Sequence, residues 1–121
     1  LYGVYELSQY MDGFDEDLQS TVYVTESIIN CLTLWKHGYP AISLMGVGGG
    51  NQYDLLKKLP YRRIVLALDP DDAGQTAQNT IYEKISGDKL VLRLHYDESI
   101  YEEGLDINSG ENLIDFDNIQ L

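Results

Sequence analysis

The sequence has one cysteine, three prolines and few bases: 8 Lys and Arg stand against 20 Asp and Glu, for a formal net charge of −12. A single thiol, Cys31, can build neither an internal disulfide nor a cysteine zinc site, and it fits a reducing, cytoplasmic setting. The shortage of Lys and Arg counts against a tight hold on nucleic acid by this chain alone, because such affinity comes mainly from neutralised phosphates. No apolar run approaches the length needed to cross a bilayer, so no membrane partner is expected. Leu1 to Leu7 has neither the basic region nor the apolar core of a signal peptide, and a chain beginning at Leu1 reads as a piece of a longer protein.

Against these absences stands a content of 44% hydrophobic residues in 121, enough for one globular domain with a single core. Thr21 to Thr25 is β-branched and aromatic throughout, a strand pattern. Ile28, Ile29, Leu32 and Trp35 then recur at helical spacing, with Gly38 as a C-terminal stop. Ala41 to Met45 is a second apolar run ending in a glycine segment, Gly46 to Gly50. Gln52 to Leu59 reads as a short helix stopped by Pro60. Arg63 to Leu68 is a third strand, Ala73 to Ile85 a third helix, and Lys89 to Tyr96 a fourth strand. Leu1 to Tyr10 fits a strand or a short helix, residues 11–20 a loop, and the tail from Asp97 a loop with Leu113, Ile114 and Phe116 packing back. Strand and helix alternate with short connections, which predicts a mainly parallel sheet covered by helices.

In such sheets, ligands bind beyond the carboxyl ends of the strands. Glu26, the glycine segment and the Asp69-Pro70-Asp71-Asp72 cluster each follow a strand directly, so they are expected on one edge. Hard oxygens two positions apart suit Mg²⁺ or Mn²⁺. Helix capping accounts equally well for the cluster taken alone, except that a cap needs one carboxylate and three lie within four residues. Glu26 by itself reads more readily as decoration of a helix start. Beside two aspartates it is expected to have a raised pKa and to serve as metal ligand or general acid/base.

The glycine segment matches neither a dinucleotide fingerprint nor a P-loop. Its backbone could receive a phosphate, though a plain turn is the commoner outcome. Lys57, Lys58, Arg62 and Arg63 fit either a phosphate-facing patch or a solvated helix end. His37 and His95 lack metal-ligand spacing, and no serine has a nucleophile context.

Val22-Tyr23-Val24-Thr25-Glu26-Ser27, then Ala41 to Gly46, then Val65-Leu66-Ala67-Leu68-Asp69-Pro70-Asp71-Asp72-Ala73-Gly74 together resemble the Toprim domain shared by DNA primases, topoisomerases and some nucleases. The likeness spans about Thr21 to Ser109. It leaves residues 1–20 as an extension or linker and 110–121 as a tail. The D-x-D-x-A-G form, with Asp106-Ile107-Asn108 later, is most similar to bacterial DnaG-type or phage and mobile-element primases.

The resemblance implies a compact, Rossmann-like α/β fold with a four-stranded, mainly parallel sheet. It implies Glu26, Asp69 and Asp71 as catalytic residues, and Glu26, Asp69, Asp71 and Asp106 as ligands of Mg²⁺ or Mn²⁺. The implied activity is metal-dependent nucleotidyl transfer making RNA primers. The implied partners are single-stranded DNA, ribonucleoside triphosphates and a replicative helicase, with neighbouring segments of the parent protein needed for activity. Two features depart from the primase pattern. Asn30 stands where an Asp often follows the catalytic Glu by one helical turn. The later segment has Leu105 before Asp106 and Asn108 where a second Asp can occur. A Toprim nuclease and a non-catalytic Toprim module are the rival readings.

Overall fold

Strand residues that alternate between two faces need a cover on each, and the apolar character of Val22 to Val24 and Ile64 to Leu68 leaves neither face for water. The computed structural model describes residues 1–14, 18–44, 50–97, 100, 105–111 and 114–120. In it the strands β1 (Thr21–Thr25), β2 (Ala41–Ser43), β3 (Arg63–Leu66), β4 (Leu90–Leu94) and β5 (Ile119–Gln120) form one sheet in the order β2-β1-β3-β4-β5. The first four are parallel, as expected for an α/β Toprim fold, and β5 adds a short antiparallel edge from the tail.

One face carries Val22, Val24, Ile42, Ile64 and Leu66, and it packs under α1 (Val4–Tyr10), α3 (Gly50–Lys58) and α4 (Asp72–Ile85) through Leu7, Leu56, Ala77, Ile81 and Ile85. The other carries Tyr23, Ala41, Val65 and Ala67, and it packs under α2 (Ile28–Lys36) and the C-terminal segment through Cys31, Leu34, Ile107, Ile114 and Phe116. Each fully buried Leu, Ile or Val contributes about 1.5–3 kcal/mol, so this two-sided burial outweighs any single cap or ion pair. Residues 1–10, open between strand and helix in sequence, give α1 after a bridge from Tyr2 to Ser43.

Two expectations are revised. The Ile28, Ile29 and Leu32 stripe that signals α2 faces outward, with exposures of 38%, 59% and 52%. The helix instead buries Asn30, Cys31, Thr33 and Leu34, because its polar members find partners in the turn after Leu105. The segment 11–20, expected as loop, contains a short 3₁₀ turn at Met11–Gly13. Met45 and the glycine segment, apart from Gly50 at the start of α3, lie outside the described residues, as does Leu113.

Candidate functional site at the carboxyl edge of the sheet

The register pairs Val24 with Leu66, so the chain leaves β1 and β3 side by side at the same edge. Ser27 caps α2 by accepting from Asn30 N–H, which leaves Glu26 free of capping. Glu26 Oε1 instead accepts the backbone N–H of Asp69 at 3.0 Å, tying the two strand ends together. The segment before Asp69 is pinned from both sides. Leu68 N–H donates to the buried Gln78 Oε1 at 3.3 Å, and Tyr96 Oη donates to the Leu68 carbonyl at 2.9 Å.

Asp69 Oδ1 accepts from Asn30 Nδ2 at 3.1 Å. Asp106 comes from a tight turn in which its Oδ1 accepts both Ser109 N–H at 2.8 Å and Ser109 Oγ at 2.9 Å. Its charge acts on Asp69. Asp71 caps α4, its Oδ1 accepting Gly74 N–H at 2.7 Å, and Asp72 occupies the first helical position in solvent. The physical reason is geometric: an N-cap residue is extended, as Asp71 is at φ −131° and ψ 174°, and the next residue is already helical.

The electrostatics follow the placement. Burial pushes the Glu26 carboxyl up, and the charges of Asp69 and Asp71 add to it, against the lowering from the Asp69 N–H bond. The expected direction holds, with burial rather than neighbouring charge as its main cause. Burial likewise raises Asp69, with Asp106 and then Asp71 adding to it and the Asn30 hydrogen bond opposing.

This donor set, hard oxygens crowded and partly desolvated, fits a divalent cation in chemistry. Among the described residues, however, no three His, Cys, Asp or Glu side chains gather closely enough to hold an ion between them. What fits is an ion that keeps several waters and takes one or two carboxylates, the habit of Mg²⁺.

Three contributors carried no assigned role in the sequence reading. Gly74 is required by close approach: a Cβ there would run into the Asp69 carbonyl oxygen and come within 2.9 Å of Glu26 Oε1. Tyr53 of α3 is buried near enough to Glu26 to feel its charge. Asn30 is a buried polar residue on a helix, and its place one turn after Glu26 was the available signal. Lys57, Lys58 and Arg63 close α3 and open β3 at the opposite end of that strand from Asp69, so they do not face the acidic edge.

The Toprim-like family profile matches residues 23–109, which contain Glu26, Asp69, Asp71 and Asp106. No curated protein matches the sequence. Among solved structures, a protein from Aquifex aeolicus aligns with TM-score 0.52 and 21% identity over 91% of this chain and 94% of its own. The zinc-binding and RNA polymerase domains of Aquifex aeolicus primase align with TM-score 0.57 and 17% identity, over 92% of this chain and 26% of theirs. At these identities the two structures show a shared fold, and this chain spans about a quarter of the primase chain. Together with the parallel sheet and the acids at its carboxyl edge, the family match over most of the length establishes that the chain belongs to the Toprim-like family.

Proposed function

We propose that the chain is the catalytic Toprim domain of a DNA primase, which joins ribonucleotides into a primer on single-stranded DNA. The observation that carries this reading is the convergence of Glu26, Asp69 and Asp106, from two strand ends and a distant turn, on one edge. The fold likeness to a chain containing primase RNA polymerase domains supports the choice of reaction.

In the proposed reaction, a ribose 3′-hydroxyl attacks the α-phosphorus of an incoming nucleotide. The new O–P bond forms as the bond to pyrophosphate breaks, and the hydroxyl proton must go to a base. Glu26, with its raised pKa and with Oε1 occupied by the Asp69 N–H, accepts that proton at its second oxygen. Asp69 and Asp106 would hold a Mg²⁺ or Mn²⁺ ion, with Asp71 adding charge while it caps α4. Such an ion, when bound, neutralises charge on the transferring phosphate. Template DNA and a replicative helicase are engaged mainly by other parts of the full-length protein, since a net charge of −12 does not favour phosphate contact here.

The test is primer synthesis by the full-length protein on single-stranded DNA with ribonucleotides and Mg²⁺ or Mn²⁺. Asp69→Asn is expected to lower the rate by about a hundredfold or more. Unchanged synthesis by that variant would sink the reading, and shortening of labelled DNA in place of primer growth would replace it with a nuclease.

A further inference from the structure

The turn carrying Asp106 is far from Asp69 in sequence, and its position on the fold has identifiable anchors. Within the turn, Gly110 N–H donates to the Asp106 carbonyl at 2.8 Å, and a Cβ at Gly110 would come within 3.0 Å of that carbonyl and 3.2 Å of Ile114 Cδ1, a close fit. At its far end, Glu111 is held by Lys36 Nζ at 3.1 Å and lies 3.0 Å from His37 Nε2, both at the C-terminal end of α2. These contacts shape the turn and tether its distal side, but they do not reach Asp69.

Asn30 does. It is 1% exposed, its Nδ2 donates to Asp69 Oδ1 at 3.1 Å, and its Oδ1 accepts the backbone N–H of Asn108 at 3.0 Å. An amide can do both at once, because it carries a donor and an acceptor on one planar group. One turn further along α2, Thr33 Oγ1 lies 3.1 Å from Asn108 Oδ1, and its single proton is shared between that contact and the Ile29 carbonyl. A buried amide bonded on both sides has its orientation fixed, since turning it would leave two polar groups unpaired.

We propose that Asn30 is a positioning residue that couples Asp69 to the Asp106–Gly110 turn and sets the spacing of the two carboxylates. The role rests on the metal-binding reading above only for its consequence, not for its geometry. A carboxylate at position 30 could accept from Asn108 but could not donate to ionised Asp69. An apolar residue could do neither.

The test is made in the full-length protein and has two readouts. The first is amide hydrogen exchange at Asn108, which is independent of any metal. Asn30→Ala is expected to speed it by about tenfold, the scale of a lost buried hydrogen bond. Asn30→Leu, which fills the same space, gives the same reading where the alanine variant fails to fold. The second is Mn²⁺ affinity by calorimetric titration, in a cycle of Asn30→Ala, Asp106→Asn and the double variant. If Asn30 acts by placing Asp106, the double variant binds Mn²⁺ no more weakly than Asp106→Asn alone. Unchanged exchange at Asn108, or losses of Mn²⁺ affinity that simply add, overturns the proposal. If instead Asp69→Asn leaves Mn²⁺ affinity unchanged, the metal reading fails by itself, and the exchange at Asn108 still decides the role of Asn30.

Discussion

Glu26 accepts a hydrogen bond from the Asp69 backbone and Asp69 accepts one from Asn30, against burial and neighbouring acids that push both carboxyls up. A carboxyl whose pKa is higher folded than unfolded binds its proton more tightly in the native state. Its contribution to stability is therefore complete below about pH 4, the ordinary unfolded value, and is lost as pH rises through the raised folded value. Glu26→Gln keeps an oxygen to accept the Asp69 N–H and removes the charge. In the absence of divalent cation, its melting temperature relative to the parent protein is expected to climb as pH goes from about 4 toward neutral. Thermal unfolding across that range checks it, and a difference that does not change with pH counts against the raised Glu26 pKa. Which acid pairs with which was only half legible at this scale. Glu26 and Asp69 each follow a strand, a local pattern, whereas the effect of Asp106 on Asp69 depends on a turn placed by tertiary contacts.

At the level of elements, the start of α4 shows how a helix end and a site can share residues. Asp71 caps the helix, a bond worth about 1 kcal/mol, and the N–H it accepts belongs to Gly74, whose missing side chain lets α4 lie against Asp69 and Glu26. Gly74→Ala would ordinarily gain about 1 kcal/mol of helix propensity. Here the added methyl meets the Asp69 carbonyl, so a net loss of about 1–3 kcal/mol is expected in urea unfolding, together with weakened divalent-cation binding. A gain in stability would show that the close approach relaxes freely. The α2 helix makes the complementary point: periodicity identifies a helix but does not choose which face is buried. Its three exposed aliphatic side chains and its buried Asn30 and Thr33 follow from what the C-terminal segment brings to its inner side.

For the whole molecule, the C-terminal segment closes the second face of the sheet. Phe116 is 5% exposed, its carbonyl accepts from Tyr23 Oη of β1 at 2.8 Å, and its ring packs against Tyr39 and His37. Burial pushes the Tyr23 hydroxyl up strongly, so it remains a donor at any working pH. Phe116→Ala is expected to cost about 3 kcal/mol or more by chemical denaturation. It also lowers protection of β1, since Tyr23 loses its cover. A cost under about 1 kcal/mol would mean that the tail contributes little to the fold. Legibility was limited here because a two-residue strand preceded by three acidic or amide positions, Asp115, Asp117 and Asn118, carries no periodic signal of its own.

The sequence by itself determined the alternation of strands and helices, the parallel α/β class and the delivery of Glu26 and Asp69 to strand ends. Side-chain period and turn chemistry are local properties of a few neighbouring residues. Only the tertiary structure decided the strand order, the closeness of Gly74 to Glu26 and the bridge from Asp69 through Asn30 to the Asp106 turn. The two Asn30 bonds join residues 39 and 78 positions apart, where packing of whole elements, not local preference, sets which groups meet.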